Sequence, residues 1–232
     1  MTQRMARSET RVLIIDDHAL FAESLELALS VEGYDVRRTG EPQPGTSTSA
    51  LLAAAIRSHP RIVLLDLDLG HHGDGCRMIP ALAAAGVHVV VVTACVDQSR
   101  WGECLRHGAR LVLSKNQPLN EILSVVRRVS QGLPVIDRIE RERLVRLWFE
   151  QRQDQEGQAE RLLSLTRRER EVLGHLMQGH TVREIATISV VSEATVRTQV
   201  KSILAKLEVS SQLAAVGMAY ALGWRAAPPV AV

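Results

Sequence analysis

Short runs of branched apolar residues recur along the first half of the chain, and three of them lack the alternation typical of a half-exposed strand. Such runs predict strands buried on both faces of a parallel sheet. We predict five strands, at 11–15, 34–38, 62–65, 87–92 and 110–113. Helical spacing between them predicts five helices, at 20–32, 49–58, 75–85, 97–107 and 118–131. Because strands and helices alternate along the chain, right-handed crossovers must connect parallel strands. We therefore expect a doubly wound α/β fold, (βα)5, with strand order 2-1-3-4-5.

The last third of the chain shows helical periodicity and no strand pattern. Thr166 with Glu169 forms a capping-box sequence before a helix at 167–178. Further helices are predicted at 181–189, at 192–207 and from Ser210 or Ser211 to 222, giving an all-α domain of four helices. We therefore predict one α/β domain at 1–132, a charged helical linker at 133–160 that fades into the polar stretch 151–158, and the helical domain at 161–227. The stretch 41–49 is predicted to be a loop, and 226–232 to be disordered.

Charge is distributed unevenly, although the whole chain of 232 residues carries only +2. Residues 1–132 contain 14 basic and 14 acidic side chains, whereas residues 161–208 contain 8 and 5, a net charge of +3. The basic excess weakly favours a polyanion partner near the C-terminus. The three cysteines have no metal-type spacing and no even pairing, and we interpret them as core or near-surface residues in a reducing compartment. No apolar signal segment or membrane span is evident, so we expect a cytoplasmic protein without a membrane partner.

Four of the predicted strands end at residues with reactive or charged side chains. Asp16 and Asp17 follow the first strand, Asp66 the third, Thr93 the fourth and Lys115 the fifth. In a doubly wound sheet these ends converge on one crevice. Crowded carboxylates favour a hard cation such as Mg²⁺. Asp66 would then act as a nucleophile that forms an aspartyl phosphate, with Lys115 and Thr93 facing the phosphoryl oxygens.

Residues 11–131 resemble a response-regulator receiver domain, and the sequence D-D-H after the first strand resembles the NarL/FixJ subfamily. The resemblance implies that Asp16 and Asp17 are the acidic pair and that Asp66 is the phospho-acceptor. It also implies that Thr93 carries the switch hydroxyl and that Lys115 is the family's lysine. It also implies a Mg²⁺ ion bound by Asp17, Asp66 and the backbone carbonyl of Asp68, close to Asp16. A sensor histidine kinase is the phosphoryl donor that the resemblance implies.

The loop after Asp66 departs from the family pattern. Gly70 stands where proline is usual, the loop is one residue longer, and Val112 occupies the position of the aromatic switch residue. Asp68 adds a carboxylate two residues beyond the acceptor, which we expect to alter the lifetime of the phosphate.

The stretch 165–215 combines a short helix, a turn and a serine-capped helix, which is the pattern of a helix-turn-helix. Val196, Val200, Ile203 and Leu207 form an apolar stripe that must pack inward, which turns Arg197, Thr198 and Lys201 outward. The stretch closely resembles the LuxR-type DNA-binding domain. That resemblance implies base or groove contacts by Arg197, Thr198 and Lys201, phosphate contacts by Arg183 and Thr195, and dimerisation through the last helix.

Together these features predict a response regulator and transcription factor. Phosphorylation of Asp66 by a sensor histidine kinase would control dimerisation and binding to double-stranded DNA, with a homodimer at least in the active form. An alternative is a LuxR-type regulator whose atypical receiver acts without phosphorylation, through a bound ligand or a constitutive dimer. An enzymatic reading of Asp66-Leu67-Asp68 as a haloacid-dehalogenase-like phosphatase is rejected, because the acidic pair precedes the nucleophile and the chain continues into a helix-turn-helix. We therefore predict that the chain is not an enzyme.

Overall fold

The computed structural model of the chain describes residues 8–39 and 47–225. Contacts within the chain divide it into two compact units, Met1–Phe149 and Glu150–Val232. The boundary falls within a long helix, Arg138–Leu163, so each part of that helix is described with its own unit. Most of the predicted loop 41–49 and the predicted disordered tail 226–232 lie outside the described residues. Among the described residues, no helix combines the length and apolarity that a bilayer span requires.

The first unit is a five-stranded parallel sheet flanked by helices. The strand order is 2-1-3-4-5, which confirms the prediction. The elements are β1 (Arg11–Ile15), α1 (Ala19–Val31), β2 (Asp35–Arg38), α2 (Thr48–Arg57), β3 (Ile62–Leu65), α3 (Ile79–Ala84), β4 (His88–Thr93), α4 (Gln98–Arg106), β5 (Leu111–Ser114) and α5 (Leu119–Ser130).

Hydrophobic cores lie on both faces of this sheet. Alternate residues of β3 belong to different cores, with Val63 and Leu65 in one and Ile62 and Leu64 in the other. All four β3 side chains are buried. A strand covered on both faces needs apolar residues at every position, which is why the sequence shows no alternation there.

Two local predictions in this unit need correction. The stretch predicted as one helix at 75–85 is a 3-10 helix, Gly75–Met78, followed by the short α3. The Asp74 side chain caps the 3-10 helix. Pro80 lies in the first turn of α3, where proline is well tolerated. The helix predicted at 49–58 begins at Thr48, and Ser47 is its N-cap: the Ser47 hydroxyl accepts a hydrogen bond from the Ala50 amide at 3.2 Å.

The linker was expected to fade after residue 150, and this prediction was wrong. The helix Arg138–Leu163, here α6, is continuous for 26 residues. Glutamine, glutamate and arginine are good helix formers. The ion pair between Arg152 and Glu156, 2.9 Å apart, adds i,i+4 support in the polar stretch.

The second unit is all helical and matches the prediction closely. It contains the end of α6, α7 (Arg167–Met177), α8 (Val182–Ile188), α9 (Glu193–Leu207) and α10 (Gln212–Ala221). Thr166 and Thr181 both form complete capping boxes, and Ser211 is the N-cap of α10. The apolar stripe of α9 lies in the buried core of the unit, as predicted. Glu208 ends α9 in a left-handed conformation, φ 56°, which is usually left to glycine.

Candidate functional site

The sheet brings the predicted strand-end residues together. Ile15 pairs with Leu65, Leu65 with Val91, and Thr93 with Ser114. The carboxyl ends of β1 and β3 are therefore level, and β4 and β5 end two residues further along the same edge. The Nζ atom of Lys115 lies 2.6 Å from Oδ2 of Asp66 and 2.8 Å from Oδ2 of Asp16. These strand ends thus form one acidic pocket.

Asp66 is buried, with 3% of its surface exposed. Burial raises the pKa of Asp66, while the hydrogen bond and charge of Lys115 oppose that rise. Its Oδ1 atom accepts a hydrogen bond from the Leu67 amide at 2.7 Å. The pKa of Lys115 is raised, because hydrogen bonds to Asp16 and Asp66 outweigh the effect of its burial. Lys115 is therefore a fixed positive charge beside a carboxylate that is costly to ionise.

Four side chains of the pocket could hold a cation. One ligand atom each from Asp16, Asp17, His18 and Asp66 lies within 4.8 Å of the others. The Nδ1 atom of His18 is 2.8 Å from Oδ1 of Asp17. Three carboxylates in one cluster supply the oxygen ligands that Mg²⁺ prefers. The donor set therefore fits the predicted ion.

The carboxylate of Asp68 does not belong to this four-residue cluster. Its Oδ1 atom accepts a hydrogen bond from the Gly70 amide at 3.1 Å, and the residue is exposed. Gly70 has φ 55°, which proline cannot adopt, and a Cβ atom there would lie 2.9 Å from Oδ2 of Asp17. The conformation of the loop at Gly70 therefore excludes the proline that is usual at this position in the family.

The pocket opens into a cavity of about 500 Å³ lined by His18, Asp66, Leu67, Asp68, Gly73, Asp74, Thr93, Ala94, Cys95 and Arg100. Thr93 is buried, and its hydroxyl accepts a hydrogen bond from the Cys95 amide at 3.1 Å. Sequence reasoning missed Arg100, whose guanidinium lies 2.8 Å from Oδ1 of Asp74. It also assigned no role to His18, although the D-D-H motif places that residue directly after the acidic pair.

The loop can pass behind Asp66 only because residue 75 is glycine. A Cβ atom on Gly75 would lie 2.1 Å from the backbone oxygen of Asp66. The Gly75 amide donates to the Leu67 carbonyl at 2.8 Å. The glycine thus fixes the segment after the acceptor against the strand end.

The second unit presents the predicted DNA-contacting residues to solvent. All five are exposed: Arg183, Thr195, Arg197, Thr198 and Lys201. Ser192 caps α9 through the Thr195 amide, while Val196 and Val200 are buried beneath. Arg197 lies 3.1 Å from Glu193, one turn earlier. The exposed side of the N-terminal half of α9 is therefore polar and basic, as a groove-binding helix requires.

A buried carboxylate holds this helix in place. Glu169 of α7 accepts hydrogen bonds from Ser202 and Lys206 of α9, both at 2.7 Å. Burial alone would raise the pKa of Glu169, but the bonds from Lys206, Ser202 and Thr166 outweigh it and lower the pKa to about 2. The same residue closes the capping box of α7, so one side chain anchors two helices.

Comparison with known proteins identifies both units. Residues 12–127 match the family model of the response regulator receiver domain. Residues 163–219 match the family model of the bacterial regulatory proteins of the luxR family. The two matches correspond to the sheet unit and the helical unit.

Relatives share the full arrangement. The response regulator protein VraR of Staphylococcus aureus is 30% identical over 212 residues, which are 90% of this chain and 96% of the relative. A solved structure of the response regulator RcsB of Salmonella typhimurium covers 90% of this chain and 98% of its own, with a TM-score of 0.50 and 20% identity, and supports the fold. The chain therefore belongs to the two-component response regulators, transcription regulators that join a receiver domain to a LuxR-type DNA-binding domain.

Proposed function

We propose that phosphorylation of Asp66 by a sensor histidine kinase controls binding of the helical unit to DNA. One observation carries the proposal: a buried carboxylate at a strand end, with a lysine ammonium at 2.6 Å and an acidic pair beside it. A purely structural ion pair would not require two further carboxylates next to it, because they repel one another. The arrangement suits a carboxylate that accepts a phosphoryl group beside a bound cation.

The transfer forms a bond between a carboxylate oxygen of Asp66 and phosphorus, and it breaks the bond from phosphorus to the kinase histidine. A magnesium ion held by Asp17 and Asp66, with Asp16 nearby and the backbone carbonyl of Asp68 as a further ligand, would supply positive charge opposite the phosphoryl oxygens. Lys115 would stabilise the negative charge on the phosphoryl oxygens. Thr93 offers its hydroxyl from the end of β4.

Phosphorylation adds about −1.5 to −2 charges to this pocket, which must change a surface that reaches the DNA-binding residues. The first part of α6 is well placed to carry that change, because it packs on α4 within the sheet unit. Leu144 is buried there, and the Arg141 guanidinium donates to the carbonyls of Leu105 and Ala109 at 2.7 and 3.2 Å.

For DNA binding, we propose that Arg197, Thr198 and Lys201 contact base edges in the major groove, while Arg183 and Thr195 contact phosphates. We further propose that the active form is a homodimer joined through α10. Leu213 and Tyr220 on that helix are 81% and 61% exposed, which supports a partner surface.

The test is intact-mass analysis after incubation with acetyl phosphate and Mg²⁺, with Asp66→Asn and the exposed-site control Asp97→Asn beside the wild type. We expect one added phosphoryl group in the wild type and the control, and none in Asp66→Asn. Size-exclusion chromatography and DNA titration of the phosphorylated protein should then show a dimer that binds more tightly.

A wild-type protein that gains no phosphoryl group would instead favour the receiver that acts without phosphorylation. Phosphoryl gain with unchanged oligomeric state and unchanged DNA affinity would reject the proposed control while leaving the chemistry of Asp66 intact.

A further inference from the structure

A second cluster of metal-ligating side chains lies outside the acidic pocket. Cys76 of the 3-10 helix, Glu103 of α4 and His107 at the end of α4 place one ligand atom each within 4.8 Å of the others. Glu103 and His107 are four residues apart and therefore lie on the same side of the helix. Cys76 approaches from another element. Cys76 is buried, whereas Glu103 and His107 are half-buried, which leaves a route from solvent.

The separation of the cysteine and histidine ligand atoms matches tetrahedral coordination. Zinc binds cysteine sulfur at about 2.3 Å and histidine nitrogen at about 2.0–2.1 Å, so a tetrahedral angle puts the two ligand atoms about 3.6 Å apart. The Sγ atom of Cys76 and the Nδ1 atom of His107 are 3.6 Å apart. A weak thiol–imidazole hydrogen bond would explain that pair alone. It would not explain the carboxylate of Glu103, which has an oxygen within 4.8 Å of both ligand atoms.

Cys104 completes the surroundings as a hydrogen-bond donor. Its Sγ atom donates to Sγ of Cys76 at 3.7 Å, and the side chain has no exposed surface. Such a donor to a ligand sulfur orients and stabilises the thiolate form.

We propose that Cys76, Glu103 and His107 bind a zinc ion, with water in the fourth position and Cys104 as a hydrogen-bond donor to the ligand sulfur. On binding, the Cys76 thiol releases its proton to solvent as the zinc–sulfur bond forms and zinc loses water. The His107 ring also meets the Trp148 ring of α6 edge to face, with centroids 6.3 Å apart. Zinc at this site therefore fixes a contact of α6 with the sheet unit.

The test uses the reduced full-length chain, stripped of metal and titrated with Co²⁺ in buffer with excess Mg²⁺. A thiolate-to-cobalt charge-transfer absorption should grow to one equivalent per chain and disappear when Zn²⁺ displaces cobalt. The His18 cluster contains no thiol, so metal bound there gives no such absorption. Wild type without the absorption would overturn the proposal, and so would a freshly purified chain in which Cys76 and Cys104 are joined by a disulfide.

Variants then assign the ligands. Cys76→Ser should lose the absorption, while the half-buried Cys95→Ser control should retain it. Glu103→Gln and His107→Gln, which alter half-buried side chains and should leave the fold unchanged, should weaken zinc binding at least about tenfold in competition with a chromogenic chelator. Cys104→Ser should keep the absorption. Its loss in Cys104→Ser, or its survival in Cys76→Ser, would overturn the three-ligand assignment.

Discussion

Lys115 holds its Nζ atom 2.6 Å from Oδ2 of Asp66, although the two residues are 49 positions apart in the chain. The contact joins the ends of β5 and β3. It offsets the burial that makes the Asp66 carboxylate costly to ionise. The lysine thus favours the ionised form of the carboxylate, on which the proposed phosphoryl transfer depends.

Lys115→Met should therefore slow phosphorylation by acetyl phosphate. Because burial already raises the pKa of Asp66, removal of the ammonium should raise that pKa further and reduce the ionised fraction at a given pH. We expect the rate of mass gain of Lys115→Met to recover as the pH rises. The rate of Lys115→Arg should lie between those of the wild type and Lys115→Met. Equal rates in wild type and Lys115→Met across the pH range would contradict this role.

Asp68→Asn should change the lifetime of the phosphorylated form. The exposed carboxylate of Asp68 lines the pocket cavity and adds negative charge near the phosphoryl group. Removal of that charge should alter the rate of autodephosphorylation. This rate is measured as the loss of the added phosphoryl mass over time after desalting. Asp97→Asn serves as a control for an aspartate outside the pocket, and equal rates for Asp68→Asn and wild type would reject the prediction.

Gly102→Ala should loosen the packing of α6 on α4. A Cβ atom at this position would lie 2.0 Å from the Leu144 carbonyl oxygen, so the helix must move. We expect the sheet unit to lose roughly 1–3 kcal/mol of stability and trypsin to cleave faster after Arg141 and Arg143. The control is Gly157→Ala, at a glycine of α6 itself. A Cβ atom there would lie 3.9 Å from the nearest atom, which belongs to the flexible Arg161 side chain. That variant should be unchanged or more stable by up to about 1 kcal/mol, and a similar loss in both variants would refute the packing argument.

Glu169→Gln should destabilise the helical unit by roughly 1–3 kcal/mol at neutral pH, because a charged acceptor of bonds from Ser202 and Lys206 is lost. The pKa of Glu169 is lowered to about 2 in the folded state, from an ordinary value of 4.5. A lowered pKa contributes stability above pH 4.5, and that contribution is lost as the pH falls toward 2. Calorimetry of the full chain should therefore show the difference between variant and wild type shrinking from pH 6 to pH 3. A constant difference would show that ionisation is not its cause.

Lys201→Ala should weaken binding to a selected operator by about 1–3 kcal/mol and change non-specific binding much less, if Lys201 contacts a base. Arg183→Ala should weaken binding to all sequences alike and reduce the salt slope by about one. Fluorescence anisotropy on an operator obtained by in vitro selection measures both. Uniform weakening by Lys201→Ala would make Lys201 a phosphate contact.

The amino-acid pattern alone determined the architecture of both units. Strands buried on both faces need apolar residues at every position, so β1, β3 and β4 stand out as unbroken runs. The ends of these three strands and of β5 position Asp16, Asp66, Thr93 and Lys115, since parallel strands of similar length end at one edge. Threonine and serine caps likewise marked α7, α8 and α9, because capping depends on residues only three positions apart.

Other relationships required the tertiary structure, because they join residues with no regular spacing in sequence. The contact of Gly102 with Leu144, the ion pair of Arg100 with Asp74 and the meeting of Cys76 with His107 are each set by how a helix packs on its neighbours. The continuity of α6 through its polar stretch was missed for a related reason. A helix held by its own ion pairs and by packing at its ends shows little apolar periodicity along its length.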